Sequence, residues 1–158
     1  MRKIKSYIKQ TFWYKKTLLN KLYYDIQQVL PLEEIGYHEI KDGKLNPIHK
    51  TETNGLSSKL WKEIHLKTPV HIKDNPILIE SINERKTIAL ANTHEDERSS
   101  KAFGLFGIDS ILVIPVIDKN NEVKSFIIIP AMKKFYNFTE KEVSSCEKIV
   151  KSYSNLLL

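Results

Sequence analysis

The chain has 158 residues, 41% of them hydrophobic and 28% charged, and a formal net charge of +6. That length suits one ordinary domain, long enough to hide roughly 70% of its unfolded surface, and the composition is that of a globular protein rather than a disordered or collagen-like one. The single cysteine, Cys146, excludes an intrachain disulfide and a four-cysteine zinc site.

No run of about 18 apolar residues marks a membrane span. The basic start, Met1 to Lys5, is not followed by the apolar stretch of a signal peptide, because Lys9, Gln10, Lys15 and Lys16 interrupt it. The expected location is the cytoplasm. The charge is uneven. Residues 1–24 hold seven basic residues and no acid, leaving 18 basic against 19 acidic residues for the rest. The body is near neutral and the basic character belongs to the N-terminal segment.

Residues 4–30 lack Gly and Pro, and Leu19, Leu22, Tyr23, Ile26 and Leu30 fall at helical spacing, so a helix is predicted there, ended by Pro31. Two strands, about 34–41 and 44–51, flank Asp42-Gly43, a hairpin turn pair; Pro47 makes the second an edge strand. Leu56 to Ile64 reads as a helix with Ser57 or Ser58 near its cap and Leu60, Trp61 and Ile64 on one side. Pro69 to Ile72 alternates like a short strand. Residues 77–85 fit a short helix or a buried strand, which periodicity does not separate, and Thr87 to Ala91 reads as a short strand.

Thr93-His94-Glu95-Asp96 resembles a helix start, and that helix is expected to run to Phe106 and stop at Gly107. Ser110–Ile117 and Val123–Ala131 are near-continuous apolar runs around a polar loop, so they are predicted as central strands covered on both faces. Thr139 caps a last helix of about 140–157, with Glu142 completing a capping box and Val143, Cys146, Val150, Tyr153 and Leu157 as its apolar stripe. Strands in hairpins with interspersed helices give an α+β domain: a central, mainly antiparallel sheet flanked by helices, with the terminal helices packed together. The organisation is a basic amphipathic helix over 1–30 and a domain over 31–158 that includes the C-terminal helix.

Three segments then carry a family resemblance: FGIDSILVIPVIDKNNEVKSFIIIP over 106–130, with Gly107, Ser110 and Pro115 in place; FYNFTEKEVSSCEKIV over 135–150; and LWKEIHLKTPVHIKD over 60–74. Together they resemble the GAF domain family across about residues 20–157. Lys67-Thr68 stands where the family commonly has Gly-Lys, and Ser125 where it has a second-strand Gly. The resemblance implies a GAF/PAS-like sheet with helices on both sides, a ligand pocket between the sheet and the middle helix, and dimerisation through the terminal helices. The family's cyclic-nucleotide, bilin-attaching and methionine-sulfoxide-reducing residues are not found here.

The pocket that the resemblance implies would draw on Tyr37, Trp61, His94, Phe103, Phe106, Ser110, Leu112 and Phe126 as ligand-binding residues, set against the plainer reading that they fill the core. The cluster His94 to Arg98 reads as a solvated first turn, and the five scattered histidines do not pair at metal spacing, so no metal site is expected. Ser110 lacks a nucleophile elbow and the chain has no phosphate-binding glycine motif, so no catalytic residue is assigned and an enzyme is not expected.

The expected function is therefore a regulatory, small-molecule-sensing domain of signal transduction. It would form a homodimer, act on a separate output protein and need no nucleic acid; its ligand and any cofactor are unknown. The rival is a protein-interaction and dimerisation module with a filled pocket. Attachment of residues 1–24 to a membrane surface is weighed and ranked below packing of that helix against the last one.

Overall fold

The computed structural model describes residues Arg2 to Leu158. It is an α+β fold in the order α1 (Arg2–Gln27), β1 (Gly36–Lys41), β2 (Lys44–Lys50), α2 (Ser58–Lys67), a 3-10 turn (Ile72–Asp74), α3 (Pro76–Glu84), β3 (Ile88–Leu90), α4 (Lys101–Phe106), β4 (Ile108–Ile117), β5 (Val123–Met132) and α5 (Glu140–Leu157). The five strands form one sheet in the order β2-β1-β5-β4-β3, with every neighbouring pair antiparallel.

Local chemistry sets the boundaries. Asp42 and Gly43 both take positive φ, 51° and 70°, as a tight two-residue hairpin turn requires. Ser57 Oγ accepts from the Leu60 amide at 3.2 Å to cap α2. Gly107 ends α4 in the left-handed conformation at φ 67°. At α5, Thr139 Oγ1 accepts from the Glu142 amide and the Glu142 carboxylate accepts from the Thr139 amide, so both halves of the capping box form.

The β4–β5 hairpin lies inside the sheet and is buried on both faces, as its apolar runs predict. Side chains alternate between two layers. Leu112, Ile114, Ile127, Ile129 and Ala131 meet Leu19, Leu22, Tyr23 and Ile26 of α1 and Cys146, Val150 and Tyr153 of α5. Ile111, Val113, Phe126 and Ile128 face the other way, toward Ile77, Leu78 and Phe103 of α3 and α4. Both central strands contain a proline. Pro115 lies beyond the stretch Ile111–Val113 that β3 pairs, and Pro130 beyond the stretch Ser125–Ile128 that β1 pairs. Each therefore sits where its missing N–H removes no bond to an outer strand.

The terminal helices contact each other, and Tyr153 OH donates to Asp25 Oδ2 at 2.5 Å across them. Only the second half of α1 packs in this way, and α1 ends at Gln27 rather than at residue 30.

Several expectations need correction. The helix expected from Thr93 begins only at Lys101. Thr93 Oγ1 donates to the Ile108 carbonyl at 2.7 Å instead of capping, and Asp96 Oδ1 accepts from the Arg98 amide at 2.8 Å, a local turn that competes with helix. Pro69–Ile72 is not a strand; a single bridge joins Lys44 to His71 before the 3-10 turn. Residues 77–85 resolve as the helix α3, opened by Pro76 in its first turn and closed by Arg85 at φ 52°. On α2 the buried face is Trp61 and His65, and Leu60 points to solvent.

Replacing Thr139 with Ala removes the cap of α5, and a loss of about 1 kcal/mol is expected. The urea midpoint should fall at unchanged slope; an unchanged midpoint would mean that the box contributes nothing.

Candidate functional site

Between the sheet and α2, α3 and α4 lies a partly open cavity of about 70 Å³. Its floor is Ile111 and Val113 of β4 and Ile128 of β5, and its roof includes Leu78, Phe103 and Phe106. One wall is a cluster of four rings. His38 meets Trp61 edge-on at a centroid distance of 4.9 Å and lies 5.1 Å from His65, which in turn lies 5.3 Å from Trp61 and 5.0 Å from Phe106. Trp61 and His65 reach it together because they stand four apart on α2. Gly36 permits the approach: a Cβ there would lie 3.1 Å from Trp61 Cζ2 and 3.2 Å from His38 Cε1.

The cavity is apolar with a few buried polar groups. His65 Nδ1 donates to the Trp61 carbonyl at 2.9 Å. His38 Nδ1 has no partner, and neither has Asn75 Oδ1, although Asn75 Nδ2 donates to Ser100 Oγ at 3.2 Å. Buried polar atoms of this kind normally carry a hydrogen bond, and here neither has one from the protein. At one end Glu34 and Lys50 form a buried ion pair at 2.8 Å. Lys50 Nζ also donates to the carbonyls of Thr51 and Leu56, and Thr53 Oγ1 to the Glu34 carboxylate.

Burial, reinforced by the neighbouring His65, holds the His38 imidazole well below its usual range. Burial also lowers His65, against its bond to the Trp61 carbonyl. With both imidazoles neutral and Lys50 matched by Glu34, the walls carry no net charge.

Of the eight residues predicted to bind ligand, Trp61, Phe103 and Phe106 line the cavity. The other five do not. Tyr37 and Leu112 point into the opposite layer, Tyr37 with Lys15 Nζ 5.1 Å over its ring. Phe126 sits in the cavity-side core without reaching the lumen. Ser110 Oγ donates to the Ala91 carbonyl at 2.5 Å and accepts from the Tyr136 amide at 2.7 Å, tying three segments together. His94 is exposed beside Asp109 at 2.7 Å.

Sequence reasoning missed His38, Asn75, Glu34 and Lys50, and it named His65 only among the scattered histidines that make no metal site. Strict alternation along β1 puts His38, not Tyr37, on the face shared with Phe126. The i, i+4 pair Trp61–His65 is equally visible once Leu60 is set aside. Nothing in the sequence marks the Glu34–Lys50 pair, whose members meet only through β1–β2 pairing.

Elsewhere, Arg98 pairs with Asp96 and Glu80 at 2.9 Å each on the surface. Cys146 is buried in the opposite layer, its thiol pushed up to about 11 by burial and by the carboxylates of Glu142 and Glu147. Among the described residues no group of three His, Cys, Asp or Glu side chains is placed to hold a metal ion.

No family model and no curated relative matches the chain. Solved structures do match in shape. The GAF domain/HD domain protein from Geobacter sulfurreducens superposes with a TM-score of 0.73 at 12% identity, over 89% of this chain and 90% of that one. The PixJ GAF domain of Thermosynechococcus elongatus gives 0.68 at 12% identity, over 95% and 86%. The type II free methionine-R-sulfoxide reductase from Thermoplasma acidophilum gives 0.68 at 12% identity, over 93% and 94%. The fold is a GAF fold, one that carries sensors and at least one enzyme.

Two outcomes are expected. Replacing Lys50 with Met strands a buried carboxylate and should cost about 3–5 kcal/mol, most of it recovered when Glu34 is also made Leu; a harmless single change would show that the pair is solvated.

The second concerns pH. His38 and His65 are lowered in the folded state, as is His49, to about 4. The unfolded chain then binds more protons once pH falls below the ordinary histidine value of 6.5, so their stabilisation is complete above 6.5 and declines below it. The paired carboxylates of Glu80, Asp96 and Glu142, also lowered, add their loss only at more acid pH. Urea midpoints should therefore drop between pH 7 and pH 5, whereas a flat profile there would mean that the imidazoles are hydrated.

Proposed function

We propose that the protein is a regulatory, non-catalytic sensing module that takes a small neutral molecule into the cavity between the sheet and α2–α4 and signals through its terminal helices. The observation that carries this reading is the pair of buried, unpartnered polar atoms, His38 Nδ1 and Asn75 Oδ1, in a mainly apolar chamber whose ion pair is internally matched. An apolar pocket with a few convergent polar groups is the usual form of a small-molecule site. Uncharged walls favour an uncharged ligand, since a buried net charge has nothing to balance it. The volume, about half that of an engineered ~150 Å³ cavity that admits benzene, sets the scale at a few non-hydrogen atoms unless α4 moves aside.

The route outward follows from the alternation of β4 and β5. Ile111, Val113 and Ile128 touch the cavity, and their sequence neighbours Leu112, Ile127 and Ile129 touch α1 and α5. A ligand that favours one packing of these strands biases the helices on the far face. In this reading the chain forms a homodimer through the terminal helices, works in the cytoplasm and hands its signal to a separate output protein. The position and raised pKa of the Cys146 thiol support a non-catalytic role.

The small volume favours one rival, an interaction module with the same fold and no metabolite. Native mass spectrometry of the protein taken from its own cells separates the two. The expected spectrum shows a small added mass per chain, lost on denaturation and absent in Ala102→Leu, which fills the cavity from α4. If no mass is retained and no neutral metabolite raises the thermal midpoint of the wild type more than that of the variant, the sensing reading fails.

A further inference from the structure

The first half of α1 projects from the body. Every residue from Ile4 to Tyr14 is exposed, and packing begins only around Leu18 and Leu19. Yet this stretch is amphipathic. Ile4, Ile8 and Phe12 follow one another at i, i+4 and continue the stripe that Leu19, Leu22 and Ile26 bury against the sheet, broken only by Lys15. All three are more than half exposed, as are Tyr7, Trp13 and Tyr14. Beside the stripe run Lys5, Lys9 and Lys16, Lys16 with its Nζ 5.6 Å over the Trp13 ring. Lys15 alone is engaged by the body, at Glu39 and Tyr37. The first acid in the chain is Asp25.

That charge pattern selects the occupant. A second copy laid on this projecting half brings another acid-free stretch, lysine against lysine, and leaves dimer contacts to the rest of the terminal helices. A nucleic acid takes the lysines and leaves Ile4 and Ile8 in water. An anionic lipid surface takes both: acyl chains accept the apolar stripe, headgroup phosphates accept the ammonium groups, and Tyr and Trp side chains suit the boundary between them. No helix among the described residues is long and apolar enough to cross a membrane.

We propose that residues Ile4 to Tyr14 of α1, the part that projects past the body, enter the surface of an anionic membrane with Lys16 at their margin, anchoring the domain there by an interfacial rather than a spanning helix. The body behind it is near neutral, so the helix supplies the attraction.

Co-sedimentation of the full chain with vesicles of one part phosphatidylglycerol to two parts phosphatidylcholine tests this, against vesicles of phosphatidylcholine alone. Binding is expected to the first and not the second, and to weaken as added salt screens the lysines. Replacing Lys5, Lys9 and Lys16 together with Gln should lower the partition coefficient on the order of 100-fold, at about five-fold per cation. Replacing Ile4 and Ile8 with Ser should abolish binding. All five positions lie outside the packed body, so an unchanged thermal midpoint confirms that the variants are folded. Equal binding to both vesicles, or none, overturns the proposal. So does undiminished binding by the lysine variant, a light-scattering dimer that the Ile4 and Ile8 changes dissociate in the absence of lipid binding, or a stronger affinity for RNA than for the vesicles.

Discussion

The rest of the structure depends on one constraint: the β4–β5 hairpin must be buried on both sides. Its strands are apolar at successive positions, so neither face tolerates water, and the chain has to supply two separate layers to cover them. One is the pair of long terminal helices, which cover the sheet almost without polar interruption. The other is made from short pieces, α2, α3 and α4, joined by turns. Short helices with irregular connections cannot tile a sheet as closely as two long ones, and the cavity lies in this second layer.

That asymmetry also explains how polar groups come to rest beside an apolar floor. His38 is held on the cavity side by its place opposite Phe126 in β5, and Asn75 by the turn that links the 3-10 segment to α3. In both residues the backbone is itself hydrogen-bonded. The Glu34–Lys50 pair, by contrast, has nearly every acceptor and donor matched, which is the condition under which a buried ion pair is tolerated. Of the polar groups at the cavity, the ion pair is satisfied within the fold, whereas His38 Nδ1 and Asn75 Oδ1 find no partner in it.

Much of this was legible in the sequence, and the reasons for the exceptions are physical. Where a local rule has a single reading, it held: Asp42-Gly43 for the hairpin, Gly107 for the end of α4, Thr139 and Glu142 for the start of α5, and the paired apolar runs of the central strands. Thr93 failed because its hydroxyl is drawn to the Ile108 carbonyl at the start of β4, to which it donates, rather than accepting from an amide of its own segment, a tertiary choice invisible in the sequence. Tyr37 and Leu112 lie away from the cavity for a different reason. They stand on the right strands, but the pleat turns them to the opposite face, and period two was available to say so. The ion pair, the Gly36–Trp61 contact and the tilted approach of His38 to His65 all join residues far apart in the chain, and a single sequence holds no trace of them.

The margins of the sheet have a consequence of their own. On one side the outermost strand, β2, carries Pro47. On the other, β3 is three residues long, and the length of β4 that it leaves uncovered carries Pro115. Both borders thus lack the uninterrupted row of free amides that an added strand would need. Growth of the sheet by a visiting peptide, and edge-to-edge stacking of one copy on another, are blocked at both ends. Association is thereby directed away from the strands and onto the helical surfaces, which keeps the sheet a closed interior element in any larger assembly.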